Sequence, residues 1–214
     1  MTDIQLEQVL PGDIERRSFE IIQEELSLRG IYLEPENEMV IKRAIHTTAD
    51  FDYAQNLVFS GQAVKRGTEA LKAGAVIVTD TNMGLSGINK KRLSALGGEA
   101  FCFMADEDVA REAKTRQVTR ATVSMEHAAH IDKPVIFAVG NAPTALISLY
   151  ELMQKSDWRP AFIIGVPVGF VNVEAAKELI LKTDVPHIVN RGRKGGSNVA
   201  AAIVNALLYQ IRPV

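Results

Sequence analysis

Ala75–Thr79 reads AVIVT, a continuous β-branched run opened by Gly74 and closed by Asp80. It has no polar residue alternating with the apolar ones, so it fits a strand buried on both faces. Pro134–Val139 (PVIFAV) and Ala161–Ile164 (AFII) repeat the pattern, Ala100–Met104 (AFCFM) reads as a further strand, and His187–Val189 and Leu57–Ser60 supply two short apolar runs. Between the runs the period changes from two to about three and a half. Residues 62–72, Asp106–Arg116, Thr119–His130, Ala142–Gln154, Val173–Leu181 and Asn198–Ile211 read as helices. Strand and helix in alternation predict an α/β fold: a mostly parallel sheet with helices on both faces.

Ahead of this alternation lie two further helices. Asp13 is a plausible N-cap for one whose apolar face is Ile14, Phe19, Ile21, Ile22 and Leu26, with Gly30 as its stop. The second starts after Pro35 and runs to about Ile45. No Gly/Ser linker, repeat or low-complexity stretch divides the chain, so residues 1–214 are expected to be one domain with its core at about 11–208.

Composition narrows the function. Lys and Arg total 24 and Asp and Glu 26, a net charge of −2, so the global basic excess that serves phosphate contacts is missing and no nucleic acid is expected as partner. The polar N-terminus lacks the pattern of a secretory signal, and no apolar run approaches the roughly 20 residues that span a bilayer. A cytoplasmic protein with no membrane partner is the expectation. The single cysteine, Cys102, sits in an apolar run and reads as a small buried hydrophobe.

In parallel sheets ligands collect beyond the carboxyl ends of the strands. That rule points to Asp80–Gly87, Gly140–Pro143, Gly165–Gly169 and Asn190–Ser197, all read as glycine-containing loops of one large site. Asn190–Asn198 (NRGRKGGSN) carries Arg191, Arg193 and Lys194 with three glycines just before a helix, a favourable setting for an anion. Thr81, in TDTNMGLSGI, can bind a polar group or serve its own turn. Arg43–Asp52 (RAIHTTADFD) places His46 near a helix end, where the dipole favours an imidazolium, with Thr47 and Thr48 beside it. From spacing alone, a capping or packing histidine is the more economical reading. Arg120 can meet a carboxylate bidentately or be a solvated helix residue. His127 and His130 have zinc spacing but no third ligand, so no metal is expected.

Seven motifs in order carry a resemblance: IERRSFEII at Ile14–Ile22, IHTTADFD at Ile45–Asp52, TDTNMGLSGI at Thr79–Ile88, VTRA at Val118–Ala121, VGNAPTAL at Val139–Leu146, GVPVGFVN at Gly165–Asn172, and GRKGGSNVAAAIVNAL at Gly192–Leu207. Over about Pro11 to Leu208 the chain resembles the precorrin-8 methylmutases, including the cobalt-precorrin-8 form. The resemblance implies a homodimer with no cofactor and no metal. It implies a reaction that moves a methyl group from C-11 to C-12 of a tetrapyrrole, precorrin-8 or cobalt-precorrin-8. It makes His46 the catalytic residue, donating a proton to a ring nitrogen and so driving a [1,5]-sigmatropic shift. It places Arg120, Ser18 and Thr81 in the tetrapyrrole pocket, and the segment Arg191–Ser197 with them. The chain departs from many relatives at Ala121, where they carry serine. A polyanionic substrate suits a ring of arginines and amide-rich turns. Two other classes fit the residues less fully: a tetrapyrrole carrier without catalysis, and an α/β enzyme acting on small phosphates.

Overall fold

In a computed structural model, residues 7–212 are described. Six strands make one sheet: β1 (Leu57–Phe59), β2 (Val76–Thr79), β3 (Ala100–Phe101), β4 (Val135–Val139), β5 (Phe162–Gly165) and β6 (His187–Asn190). Their order is β1-β6-β5-β4-β2-β3. All pairings are parallel except β1 with β6, where Leu57 faces Asn190 and Phe59 faces Ile188. The parallel sheet expected from the apolar runs is therefore present, with one antiparallel strand added at the edge.

Alternate residues feed two cores. Ile77, Ile136, Ala138, Phe162, Ile164 and Ile188 face one way. They pack against α1 (Ile14–Leu28), α2 (Glu38–Thr48), α4 (Ala63–Lys72) and α11 (Ser197–Gln210); the short α3 (Tyr53–Asn56) and α6 (Lys90–Ala95) and the helix α7 (Glu107–Arg116) lie between these in the chain. Val76, Val78, Phe137, Val139, Ile163 and Val189 face the other way, against α8 (Arg120–Ala128), α9 (Pro143–Lys155) and α10 (Val173–Leu181). Phe137 and Phe162 are fully buried on opposite faces. Each such side chain contributes about 1.5–3 kcal/mol relative to exposure.

Three sequence expectations change. AFCFM is a strand only at Ala100–Phe101; Phe103–Ala105 turns into a 3-10 helix, which lets Phe103 and Met104 reach the second core. Asp80–Gly87 is not a loop throughout. Thr81 is the N-cap of α5 (Asn82–Gly87), accepting a hydrogen bond from the Gly84 amide at 3.0 Å. The second N-terminal helix also starts later and ends later than expected, so His46, Thr47 and Thr48 form its last turn. Among the described residues no helix is long and apolar enough to cross a membrane.

The chain leaves β2 towards β3 on one side and returns to β4 on the other. That gap between β2 and β4 is where a doubly wound sheet usually opens a ligand crevice. Here the chain fills it. Asp80, 1% exposed, accepts hydrogen bonds from the amides of Gly140 (2.8 Å), Asn141 (2.7 Å) and Ala142 (2.5 Å). Burial holds its carboxyl above the ordinary range, the three donated bonds offsetting only part of the rise. A Cβ at Gly140 would lie 2.6 Å from the Ser197 Cα, so only glycine lets β4 meet the start of α11 this closely.

Candidate active site

The open site lies beside this plug, on the α2–α11 side of the sheet. A cleft of about 360 Å³ is bounded by Arg43, His46 and Thr47 of α2, Met83 and Gly87 of α5, and Asn198, Ala201, Ala202, Asn205 and Tyr209 of α11. Arg43, His46 and Thr47 share one face of α2 because residues three and four apart are helix neighbours. On the α5 side, a Cβ at Gly87 would come within 2.7 Å of the Ala201 Cβ; its absence brings α5 against α11. Asn205 then ties the two, its side chain donating to the Gly87 carbonyl at 2.8 Å and accepting from the Asn89 amide at 2.8 Å.

His46 is exposed to this cleft, and its ring stacks on Phe19 of α1, with centroids 5.5 Å apart and planes 17° apart. The turn that carries it is fixed. Thr48 donates its hydroxyl hydrogen to the Ala44 carbonyl at 2.8 Å and accepts from the Asp50 amide at 3.3 Å. Ala49 ends α2 in the left-handed region (φ 54°), its amide donating to the Ile45 carbonyl at 2.7 Å. Thr48 thus serves the helix end, whereas Thr47 lines the cleft.

Arg43, one turn before His46, lines the cleft, and sequence reading passed it over. Its guanidinium carbon lies 4.8 Å from the Phe19 ring centroid and 5.2 Å from that of Tyr209. It contacts the Glu15 carboxylate, and its Nε is buried without a hydrogen-bond partner among the described residues. The signal was present in RAIH: a cation three residues before the histidine shares its helix face. The cleft's lining contains this cation, two asparagines, a threonine and a tyrosine, and no carboxylate. Such a site recognises anions through charge-assisted and neutral hydrogen bonds.

The other expected site residues are placed elsewhere in the chain. Ser18 is half-buried on α1, donating to the Ile14 carbonyl at 2.9 Å. Thr81 shares a 2.7 Å hydrogen bond with Ser197, joining α5 to the start of α11. Arg120 is exposed at the first position of α8, following Thr119, and takes no part in the His46 cleft. The basic loop is engaged with carboxylates: Arg191 with Glu178 (3.4 Å), Arg193 with Glu174 (3.5 Å), and Lys194 with both Asp50 (2.5 Å) and Asp52 (2.7 Å). Lys194 holds Asp50 below the ordinary carboxylate range. The acids of the HTTADFD stretch therefore anchor the GRKGGS loop.

A buried amine holds the same loop from beneath. Lys177, 0% exposed, donates to the carbonyls of Gly192 (2.7 Å) and Lys194 (2.9 Å). Burial pushes its ammonium down to about 8, the Glu174 carboxylate offsetting part of the fall. His127 and His130 diverge: the His127 Nε2 meets Glu112 at 3.2 Å, and the His130 Nδ1 meets the Glu126 carbonyl at 2.8 Å. Among the described residues no group of three or more His, Cys, Asp or Glu side chains is placed to hold a metal.

Comparison with known proteins bears on the family and the fold. The family model described as precorrin-8X methylmutase matches residues 13–210. The cobalt-precorrin-8 methylmutase of Leptospira interrogans is 44% identical over 207 residues, covering 93% of this chain and 93% of the relative. That of Salmonella typhimurium is 45% identical over 206 residues, covering 94% and 96%. The precorrin-8X methylmutase of Pseudomonas aeruginosa is 40% identical, covering 91% and 93%. The crystal structure of the precorrin-8X methylmutase from Thermus thermophilus superposes with a TM-score of 0.83 at 38% identity, covering 92% of this chain and 96% of that one. On its sequence from end to end and on its fold, the chain belongs to the precorrin-8X methylmutase family.

Proposed function

We propose that this protein is an isomerase that moves a methyl group from C-11 to C-12 of precorrin-8 or cobalt-precorrin-8, giving hydrogenobyrinate or its cobalt form in cobalamin synthesis. The observation that carries the proposal is a single exposed imidazole, His46, in a cleft lined by a cation and neutral donors with no acid. A sigmatropic shift forms one C–C bond as it breaks another. It asks the protein for a held geometry and one well-placed proton. His46 donates that proton to a ring nitrogen, and the methyl migrates with its bonding pair. The proton returns to the imidazole when the product forms, so no nucleophile and no net acid is consumed. Phe19 keeps the imidazole in plane while Thr47, Asn198 and Asn205 offer hydrogen bonds at the rim.

Arg120, Ser18, Thr81, Arg191, Arg193 and Lys194 remain our candidates for the outer pocket. The support is their place in the family motifs rather than contact with the His46 cleft. A homodimer goes with this reading, as does a cytoplasmic location. The exposed apolar tip of Val168, Phe170 and Val171 is a feature a second copy can cover. We take residues 1–214 as one domain with its core at about 11–208.

The test is the visible spectrum of precorrin-8 or cobalt-precorrin-8 mixed with the protein under low oxygen. Conversion to the hydrogenobyrinate or cobyrinate chromophore is the expected result. Binding of either form without conversion contradicts an enzyme and favours a carrier.

A further inference from the structure

We propose that Arg43 takes a carboxylate arm of the substrate at the His46 cleft, and that Glu15 holds this place in the free protein as a competing carboxylate of the chain itself. The proposal rests on the tetrapyrrole reading above for the class of ligand, a polycarboxylate.

Four observations converge on it. First, the three cations of the loop at 191–194 already have carboxylate partners, two of them for Lys194. Arg43 is the cation that lines the His46 cleft, and no acid shares that lining. Second, the guanidinium is held in place by the rings of Phe19 and Tyr209, so little side-chain freedom remains to be lost on binding. Third, its donors are underused. Only the Nη1 hydrogens reach Glu15, while Nε is buried without a partner among the described residues. A guanidinium is built for two parallel bonds to one carboxylate, and a second carboxylate oxygen would complete the set.

Fourth, the two ends of the pair differ in exposure. The Arg43 side chain is 14% exposed and that of Glu15 is 58% exposed. The acid is the exchangeable partner. Glu15 stands in the first turn of α1, 28 residues from Arg43, and lines a separate groove of about 670 Å³ between α1 and α2. Arg43 lines both hollows, so the pair forms the wall between them. A substrate carboxylate that displaces Glu15 takes its place on Arg43 and frees the Glu15 side of this wall. Because the Glu15 end of the pair is exposed and the Arg43 guanidinium keeps its contacts with Phe19 and Tyr209, Glu15→Gln is expected to leave the fold intact while removing a competitor.

The experiment is a titration of hydrogenobyrinate, followed by its visible absorption, into the full-length wild type, Glu15→Gln, Arg43→Met and the double variant at low salt. Circular dichroism of each confirms the fold. Glu15→Gln is expected to bind about two- to fivefold more tightly than the wild type, the exchange of a surface-pair competitor. Arg43→Met is expected to bind about tenfold or more weakly. In the Arg43→Met background the Glu15→Gln gain should vanish. Unchanged or weaker binding by Glu15→Gln overturns the proposal even if Arg43→Met fails to fold. Arg43→Met binding as the wild type does also overturns it. A wild type that binds no hydrogenobyrinate and converts no substrate sinks the tetrapyrrole reading itself, and this proposal with it.

Discussion

At the scale of single residues, Lys177 is the clearest case of chemistry hidden from sequence. An unfolded lysine titrates near 10.5, and the native one is held near 8 by burial. Between these values the unfolded state binds more protons, so stability rises with pH across that window. Replacing the residue by methionine should abolish this contribution. Denaturant unfolding at pH 7.5 and pH 10 checks it: the stability of wild type minus Lys177→Met should increase with pH, and a constant difference counts against a buried ammonium. For His46 and Thr47, HTTAD shows a histidine followed by hydroxyls at a helix end, but spacing alone favours a capping or packing histidine, and it is the family resemblance that singles His46 out. For Arg191, Arg193 and Lys194 the glycine-rich context points to an anion, but the acids that meet them are distant in sequence, Asp50 by 144 residues from Lys194. No local reading of NRGRKGGSN contains Asp50. Arg43 was missed for a related reason: a helical arginine is ordinarily solvated, and only the tertiary approach of Phe19 and Tyr209 makes this one a cleft wall.

At the scale of elements, helix α2 matters most because its last turn carries His46. Ala49 closes it at φ 54°, a conformation that costs an L side chain about 1–2 kcal/mol. Ala49→Gly relieves this strain and adds freedom to the unfolded chain, so a net gain of up to about 1 kcal/mol is the expected outcome. A raised thermal midpoint with unchanged kcat shows that the left-handed cap is only a terminator. A lower kcat shows that the rigidity of the turn serves the imidazole. The long helices and the strands β2, β4 and β5 were plain in sequence because each is a long run of one period. The short elements were not. In TDTNMGLSG the Asn, Gly and Ser residues read as turn chemistry, yet Thr81 caps α5 and the packing of Gly87 on Ala201 holds it. AFCFM shows the reverse: its β-rich composition extends beyond the two residues that pair with β2.

At the scale of the whole molecule, the sheet delivers its strand ends to one edge, and the chain then spends most of those ends on itself. Asp80 ties β2 to the loop after β4, Thr81 meets Ser197, the Gly196 amide donates to the Val166 carbonyl at 2.9 Å, and Lys177 with Asp50 and Asp52 fixes the loop after β6. This network spans the usual crevice, and the cleft that holds His46 lies at the junction of α2, α5 and α11. The strand-end rule pointed to the loops that carry this network, whereas the cleft beside His46 depends on how α2, α5 and α11 pack, which no single stretch of sequence shows. On the proposed reading, the hydrogen-bonded floor holds the ring and His46 above it supplies the proton. The decisive measurement compares the wild type with His46→Ala for conversion of precorrin-8 or cobalt-precorrin-8 under low oxygen, with hydrogenobyrinate affinity measured in parallel. Loss of turnover by about 10²–10⁴-fold with affinity retained is the predicted result. Equal turnover by the two proteins would contradict His46 as the proton donor.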